Sequence, residues 1–243
     1  MKQAMIFAAG LGTRLKPLTD TMPKALVRVG DKSLLQIQIE KLRKAGFERI
    51  VVNVHHFASQ IIEFLKTYDS KDIELYVSDE SECLLDTGGG LKHASLLFDQ
   101  SSSVLIHNVD ILSNARLDSL YEASSSADAL LLVSKRPTSR YLLFDDEMRL
   151  VGWTNIKTNE IKSPYQIKDI AGLNAYAFSG IHCFSPCLFD FMSSWPDRFS
   201  IIDFYLDACS NACIRGVVQS DLRMLDVGKV STLSEAESFQ QSL

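Results

Sequence analysis

The sequence predicts an α/β fold built on a doubly wound, mainly parallel sheet, and three observations carry that prediction. Short apolar runs alternate with amphipathic stretches through the first half of the chain. The first run, Ala4-Met5-Ile6-Phe7-Ala8, opens directly into a glycine loop, Gly10-Leu11-Gly12. After Pro137 the pattern changes to two strand-like segments flanking Asp145-Asp146-Glu147. Strands buried on both faces and joined by helical crossovers form a Rossmann-like sheet with helices on either side. The later pair reads as a small hairpin insertion.

The elements follow in order. Ala4 to Ala8 is a buried strand. Leu34 to Ala45 has helical apolar spacing, and Gly46 is placed to stop it. Ile50 to Val54 is a strand, Ala58 to Tyr68 an amphipathic helix, and Ile73 to Val77 a strand. Gly90 to Phe98 reads as a helix after a glycine-rich loop. Val104 to Ile106 is a strand, Leu117 to Ala123 a helix, and Ala129 to Val133 a strand. Tyr141 to Phe144 and Leu150 to Trp153 make the hairpin, and Asn155 to Asn174 is polar and irregular. Ala175 to Phe184 and Ile214 to Val218 are strands; Pro186 to Met192, Ile202 to Cys209 and Thr232 to Phe239 are helices. No linker or repeat divides the chain, so 1–243 reads as one domain, with 1–136 and 137–243 as its halves.

The 243 residues suffice for one large core, and 46% hydrophobic with 23% charged residues is ordinary for a globular protein. With 25 basic against 30 acidic residues the net charge is −5, which argues against a nucleic-acid partner. No apolar run is long enough to span a membrane, and no signal peptide leads the chain, so no membrane partner is expected. Five cysteines, an odd number, read as reduced and mostly buried thiols of a cytoplasmic protein.

The chemistry concentrates at the N-terminus. Ala8-Ala9-Gly10-Leu11-Gly12-Thr13-Arg14 is followed by Pro23-Lys24. Glycines let backbone N–H groups approach a polyphosphate, Arg14 presents a planar fork of donors, and Lys24 adds a compact charge. Leu15 stands where the dinucleotide fingerprint needs its third glycine, and there is no Gly-Lys-Ser/Thr of a P-loop. Asp110 falls after Val104-Leu105-Ile106, at the carboxyl end of a strand, where open sheets bind ligands. Asp226 precedes Val227-Gly228, and Asp86-Thr87-Gly88-Gly89-Gly90 precedes a predicted helix. His55, His56 and His107 lie near strand ends and are assigned no catalysis.

The run Gly10 to Thr19 with Pro23-Lys24-Ala25-Leu26 resembles the signature of the sugar-1-phosphate nucleotidylyltransferases. The likeness continues through Asp86 to Gly90, Asn108-Val109-Asp110, Phe178-Ser179-Gly180-Ile181 and Asp226-Val227-Gly228. It implies a nucleotide-diphospho-sugar transferase type of fold, with the hairpin as a sugar-binding insertion. It implies that Arg14 and Lys24 are catalytic, and that Asp110 and Asp226 hold Mg²⁺. It implies that Ala8, Ala9, Gly10, Gly12, Thr13, Asp86, Thr87, Gly88 and Asn108 bind nucleotide. Ser179 and Gly180 would contact the sugar. The chain departs from the pattern at Val109, where glycine is usual, at Lys229, where threonine is frequent, and in lacking a Glu-Lys-Pro triplet. Arg140, Lys157 and Lys162 are the candidates, with no choice among them, for the basic residue that holds the sugar phosphate.

The substrates implied are a nucleoside triphosphate and a sugar 1-phosphate, with pyrophosphate released. The glycine-triplet loop most resembles the uridylyltransferases of N-acetylmuramate 1-phosphate, which favours UTP; mannose-1-phosphate guanylyltransferase is the alternative. A monomer or small homo-oligomer is expected. Two rivals from other classes are a nicotinamide-dependent oxidoreductase, against which the missing glycine counts, and an inactive sugar-nucleotide sensor. Val109 and Lys229 are the sensor's only support.

Overall fold

A computed structural model describes residues 1–70, 72–167 and 169–243. Strand β1 (Gln3–Phe7) leads through the glycine loop and three short 3-10 turns to a ribbon of β2 (Arg28–Val29) and β3 (Lys32–Ser33). Helix α1 (Leu34–Lys44) starts at Ser33, whose hydroxyl accepts from the Gln36 amide, and ends before Gly46 at φ +82°. Then come β4 (Arg49–Val54), α2 (Ala58–Thr67), β5 (Glu74–Asp79), α3 (Asp86–His93), β6 (Val104–Asn108), β7 (Ile111–Ser113), α4 (Leu117–Glu122) and β8 (Ala129–Ser134). The remainder comprises β9 (Arg140–Phe144), β10 (Leu150–Asn155), β11 (Glu160–Lys162), β12 (Asn174–Phe184), α5 (Leu188–Met192), α6 (Ile201–Ala208), β13 (Ile214–Val218), β14 (Met224–Asp226) and α7 (Val230–Gln241).

The main sheet runs β11-β10-β9-β12-β6-β1-β4-β5, with β8 and β13 branching from β12. Its central portion, β5-β4-β1-β6, is parallel, with Met5 of β1 level with Val51 and Ile106. This is the doubly wound arrangement expected, and it does not close into a barrel. β1 shows why its run is wholly apolar. Ala4 and Ile6 enter one core with Leu35, Ile39 and Leu42 of α1, whereas Met5 and Phe7 enter another with Leu91, Phe204 and Tyr205.

β12 converts the parallel centre into a mixed sheet. Its last residues pair antiparallel with β6, and its first pair with β9 of the hairpin. Its register against β8 shifts between Phe178 and His182, where Gly180 sits at φ +75°. One strand thus reaches from the hairpin to the centre of the sheet.

Several boundaries differ from expectation. α3 begins at Asp86, not Gly90, so the glycine triplet lies inside the helix. A Cβ at Gly88 would lie 2.3 Å from the Phe199 ring, and one at Gly89 would lie 2.0 Å from the Asp197 carbonyl. Close packing against residues 197–199 therefore accounts for Gly88 and Gly89, and packing against Glu80 and Asn53 for Gly90, contacts between distant segments that local spacing does not encode. The polar stretch after Asn155 contains β11, and α7 is longer at both ends than expected. Among the cysteines, Cys183 and Cys209 are buried, but Cys83 and Cys187 are exposed.

Candidate active site

The carboxyl ends of β1 and β6 meet the glycine loop at a cleft of about 350 Å³. Ala9 and Gly10 form one wall, Asp86 and Thr87 another, and Asn108 to Asp110 the floor toward Lys24. In open α/β sheets this strand-end crevice is the usual ligand position.

The glycine loop is shaped by two different needs. Gly12 has φ +63°, and a Cβ there would meet Lys24 Cβ and Thr19 Cγ2, each at 2.9 Å. Thr19 Oγ1 donates to the Gly12 carbonyl at 2.8 Å, which ties the loop to the Pro17–Asp20 turn. Gly10 has no atom within 4 Å of such a Cβ and is exposed. Its lack of a side chain is not demanded by packing, and it leaves backbone open at the cleft.

Four charged groups converge at the far end of the loop. Lys24 Nζ pairs with Asp110 Oδ2. Asp226 stands next to that pair because β14 pairs antiparallel with β7, setting Asp226 opposite Ile111. The Val227 amide also donates to the Asp110 carbonyl at 2.9 Å. Arg14 closes the group over Gly228, where a Cβ would lie 2.5 Å from Asp226 Oδ1 and 2.7 Å from Arg14 Nη2. Only glycine allows both side chains to close over that point.

The electrostatics follow from this crowding. Desolvation by the surrounding protein raises the pKa of Asp226, and the negative charge of Asp110 raises it further. Lys24, Arg14 and Arg136 act in the opposite direction. Two carboxylates facing each other form an oxygen-donor pair in want of positive charge. That donor set fits a hard divalent cation, which needs few protein ligands when phosphates supply the rest.

A second buried network braces the cleft. Asn53 Oδ1 accepts from the Ala8 amide at 2.7 Å, and Asn53 Nδ2 donates to Glu80 Oε1 at 2.7 Å. Glu80 Oε2 accepts from the Leu85 amide at 3.3 Å, and burial raises the pKa of its carboxyl. This network fixes the first loop residue and the segment before α3 relative to each other. Asp86 holds a left-handed φ of +61° at the cleft wall.

The predicted residues do not all face the cleft in the expected way. Arg14, Lys24, Asp110 and Asp226 are brought together. Ala9, Gly10, Asp86, Thr87 and Asn108 line the cleft, and Gly12 and Thr13 lie in the loop beyond it. Ala8 lines it too, but its amide is committed to Asn53. Two expectations need correction. Gly88 is buried and its amide donates to the Phe199 carbonyl at 2.9 Å, so its backbone is not open to a base. The Thr87 hydroxyl accepts from the Ile201 amide at 2.9 Å, at the start of α6. Ser179 is buried, with its hydroxyl donated to the Leu132 carbonyl at 2.6 Å, so it is not free to contact a sugar. A Cβ at Gly180 would lie 2.6 Å from Asn108 Nδ2.

Val109 turns its side chain into the core beside α1, and Lys229 is exposed at the start of α7. Neither departure touches the four-charge cluster. Sequence reasoning missed Asn53, Glu80, Arg136 and Arg198. Asn53 had a signal, an amide inside an apolar run; Arg198, on the cleft wall, had none.

Comparison with known proteins decides the family. The model of the nucleotidyl transferase family matches residues 3–242. The chain belongs to that family. The protein is 30% identical over 232 residues to N-acetylmuramate alpha-1-phosphate uridylyltransferase of Caulobacter vibrioides, covering 92% of this chain and 90% of the relative. It is 28% identical to the enzyme of the same name from Neisseria meningitidis, covering 98% and 97%. A UDP-glucose pyrophosphorylase structure superposes with TM-score 0.77 at 17% identity, covering 100% and 99%. HddC from Yersinia pseudotuberculosis gives TM-score 0.75 at 22% identity, covering 98% and 99%. The two structures share the fold. Among the described residues no helix is long and apolar enough to cross a membrane.

Proposed function

We propose that this enzyme transfers a nucleotidyl group from UTP to an amino sugar 1-phosphate, with N-acetylmuramate 1-phosphate as the acceptor. The observation that carries the transfer chemistry is the convergence of Arg14, Lys24, Asp110 and Asp226 at the end of the glycine loop. The substrate pair is supported by the two uridylyltransferases that match nearly the whole chain.

In this reading a phosphate oxygen of the acceptor attacks the α-phosphorus in line, and pyrophosphate leaves on the opposite side. Phosphate is already a nucleophile, so positioning and charge neutralisation do most of the work. The open backbone at Gly10 and the guanidinium of Arg14 hold the outer phosphates. Lys24 neutralises charge that builds on the α-phosphate. Asp110 and Asp226 would hold Mg²⁺, which would supply positive charge to offset that of the phosphates. The Asn53–Glu80 network keeps the loop and the wall at Asp86 at a set separation while the nucleotide binds.

The test is a grid of the four nucleoside triphosphates against several sugar 1-phosphates, read by pyrophosphate release. UTP with N-acetylmuramate 1-phosphate should be the best pair. A clear preference for GTP with mannose 1-phosphate would overturn the substrate choice and keep the reaction class. Pyrophosphate from no pair would overturn the transfer reading in favour of a sugar-nucleotide sensor.

A further inference from the structure

The acceptor must bring a negatively charged phosphate up to Asp110 and Asp226, so a cation must receive it. Lys24 is already paired with Asp110, and Arg14 lies over Gly228 on the glycine-loop side. The three cations expected from the sequence do not fill the role. Lys162 is paired with Asp203 at 3.0 Å and rests over the Trp153 ring. Lys157 is exposed in the turn after β10, and Arg140 is exposed at the start of β9. Among the described residues none of the three side chains is hydrogen-bonded to β12, whereas that of Arg136 is.

Arg136 comes just after β8, where the chain leaves the sheet for the hairpin. Its Nη2 donates to the Phe178 carbonyl at 3.0 Å, at the point where β12 shifts register. Two residues on, Gly180 presses against Asn108, and Asn108 is two residues from Asp110. The guanidinium is therefore anchored at one corner, beside the strand that connects the hairpin to the metal carboxylates. That bond is its only hydrogen bond among the described residues, and no carboxylate there pairs with it. The residue is exposed, so most of its donors face solvent. A planar fork held by one backbone carbonyl is suited to receiving an anion in a set orientation.

We propose that Arg136 clamps the acceptor by binding an anionic group of the sugar 1-phosphate. The assignment deepens the function proposed above and rests on it. Two groups share the required chemistry, the 1-phosphate itself and a carboxylate carried by a muramate-type sugar.

The experiment compares wild type with Arg136→Ala and Arg136→Lys, measuring kcat and KM for each substrate. Arg136→Ala should raise the acceptor KM about tenfold to a hundredfold and leave the triphosphate KM within about twofold, as loss of one charge-assisted contact to one substrate requires. Arg136→Lys should recover part of the loss, because charge survives without the fork. The melting temperature should stay unchanged, since the side chain is exposed. An equal loss with N-acetylmuramate 1-phosphate and N-acetylglucosamine 1-phosphate assigns the clamp to the phosphate. A loss confined to the muramate substrate assigns it to the carboxylate. An unchanged acceptor KM in an active enzyme, or an equal rise in the acceptor and triphosphate KM values, overturns the proposal. Calorimetric titration with the sugar 1-phosphate separates this from failure of the transfer reading. If no pair is turned over, binding by wild type that is lost in Arg136→Ala upholds the clamp, and equal binding by both overturns it.

Discussion

Replacing Lys41 with methionine is expected to stabilise the protein at neutral pH and to reverse that advantage in alkali. Lys41 lies on α1 with its Nζ turned to β7, donating to the Ser113 carbonyl at 2.7 Å and to Ser113 Oγ at 2.8 Å. Neither partner is charged, and burial pushes the ammonium pKa from 10.5 down to about 8. The native value is below the unfolded one, so the unfolded chain binds more protons between those two pH values. Stability therefore rises with pH through that window, and the full cost is present below it. The difference between 10.5 and about 8, at about 1.36 kcal/mol per pH unit, comes to about 3 kcal/mol. Methionine removes that cost and gives up two hydrogen bonds of about 1 kcal/mol each. The net gain at pH 7 is about 1 kcal/mol, or about 2–4 °C in Tm for a chain of this size. The assay is urea unfolding of both proteins at pH 7 and pH 10. Wild type should be the less stable at pH 7 and the more stable at pH 10. A stability difference that does not change between the two pH values would refute the reasoning, because it would mean that Lys41 titrates alike folded and unfolded.

Three further outcomes are expected. Asp110→Asn keeps the shape of the site and removes a carboxylate charge, so turnover should fall about a hundredfold or more with unchanged circular dichroism; near-normal turnover would remove Asp110 from the chemistry. Lys24→Ala should lower kcat more than it raises the triphosphate KM, and Arg14→Ala should damage both; a pure KM effect for Lys24 would make it a simple binding cation. Gly89→Ala sets a Cβ against the Asp197 carbonyl and should destabilise the fold by about 1–3 kcal/mol, measured by thermal melting, with triphosphate affinity per folded molecule retained.

The sheet was legible because its strands are buried on both faces. Ala4 to Phe7, Ile50 to Val54 and Val104 to Ile106 are runs whose apolarity is itself the consequence of two-sided burial. Arg14 and Lys24 were legible because their loop is local, with glycines, a proline and the cations within a few turns of chain. Asp110 could be read from its place after a strand. Its partnership with Asp226 rested on resemblance, because β7 and β14 are three-residue strands that show no period of their own.

What the sequence by itself determined is the class of sheet, the glycine loop with its cations and the family likeness, since each is written in contiguous residues. Only the tertiary structure decided that Gly88 and Gly89 pack against Phe199 and Asp197, that Glu80 and Asn53 brace the loop, and that Arg136 bonds to the Phe178 carbonyl of β12. These are contacts between segments far apart in the chain. A residue's neighbours across such a distance are set by strand pairing and burial, and they leave no periodic trace in the residues on either side.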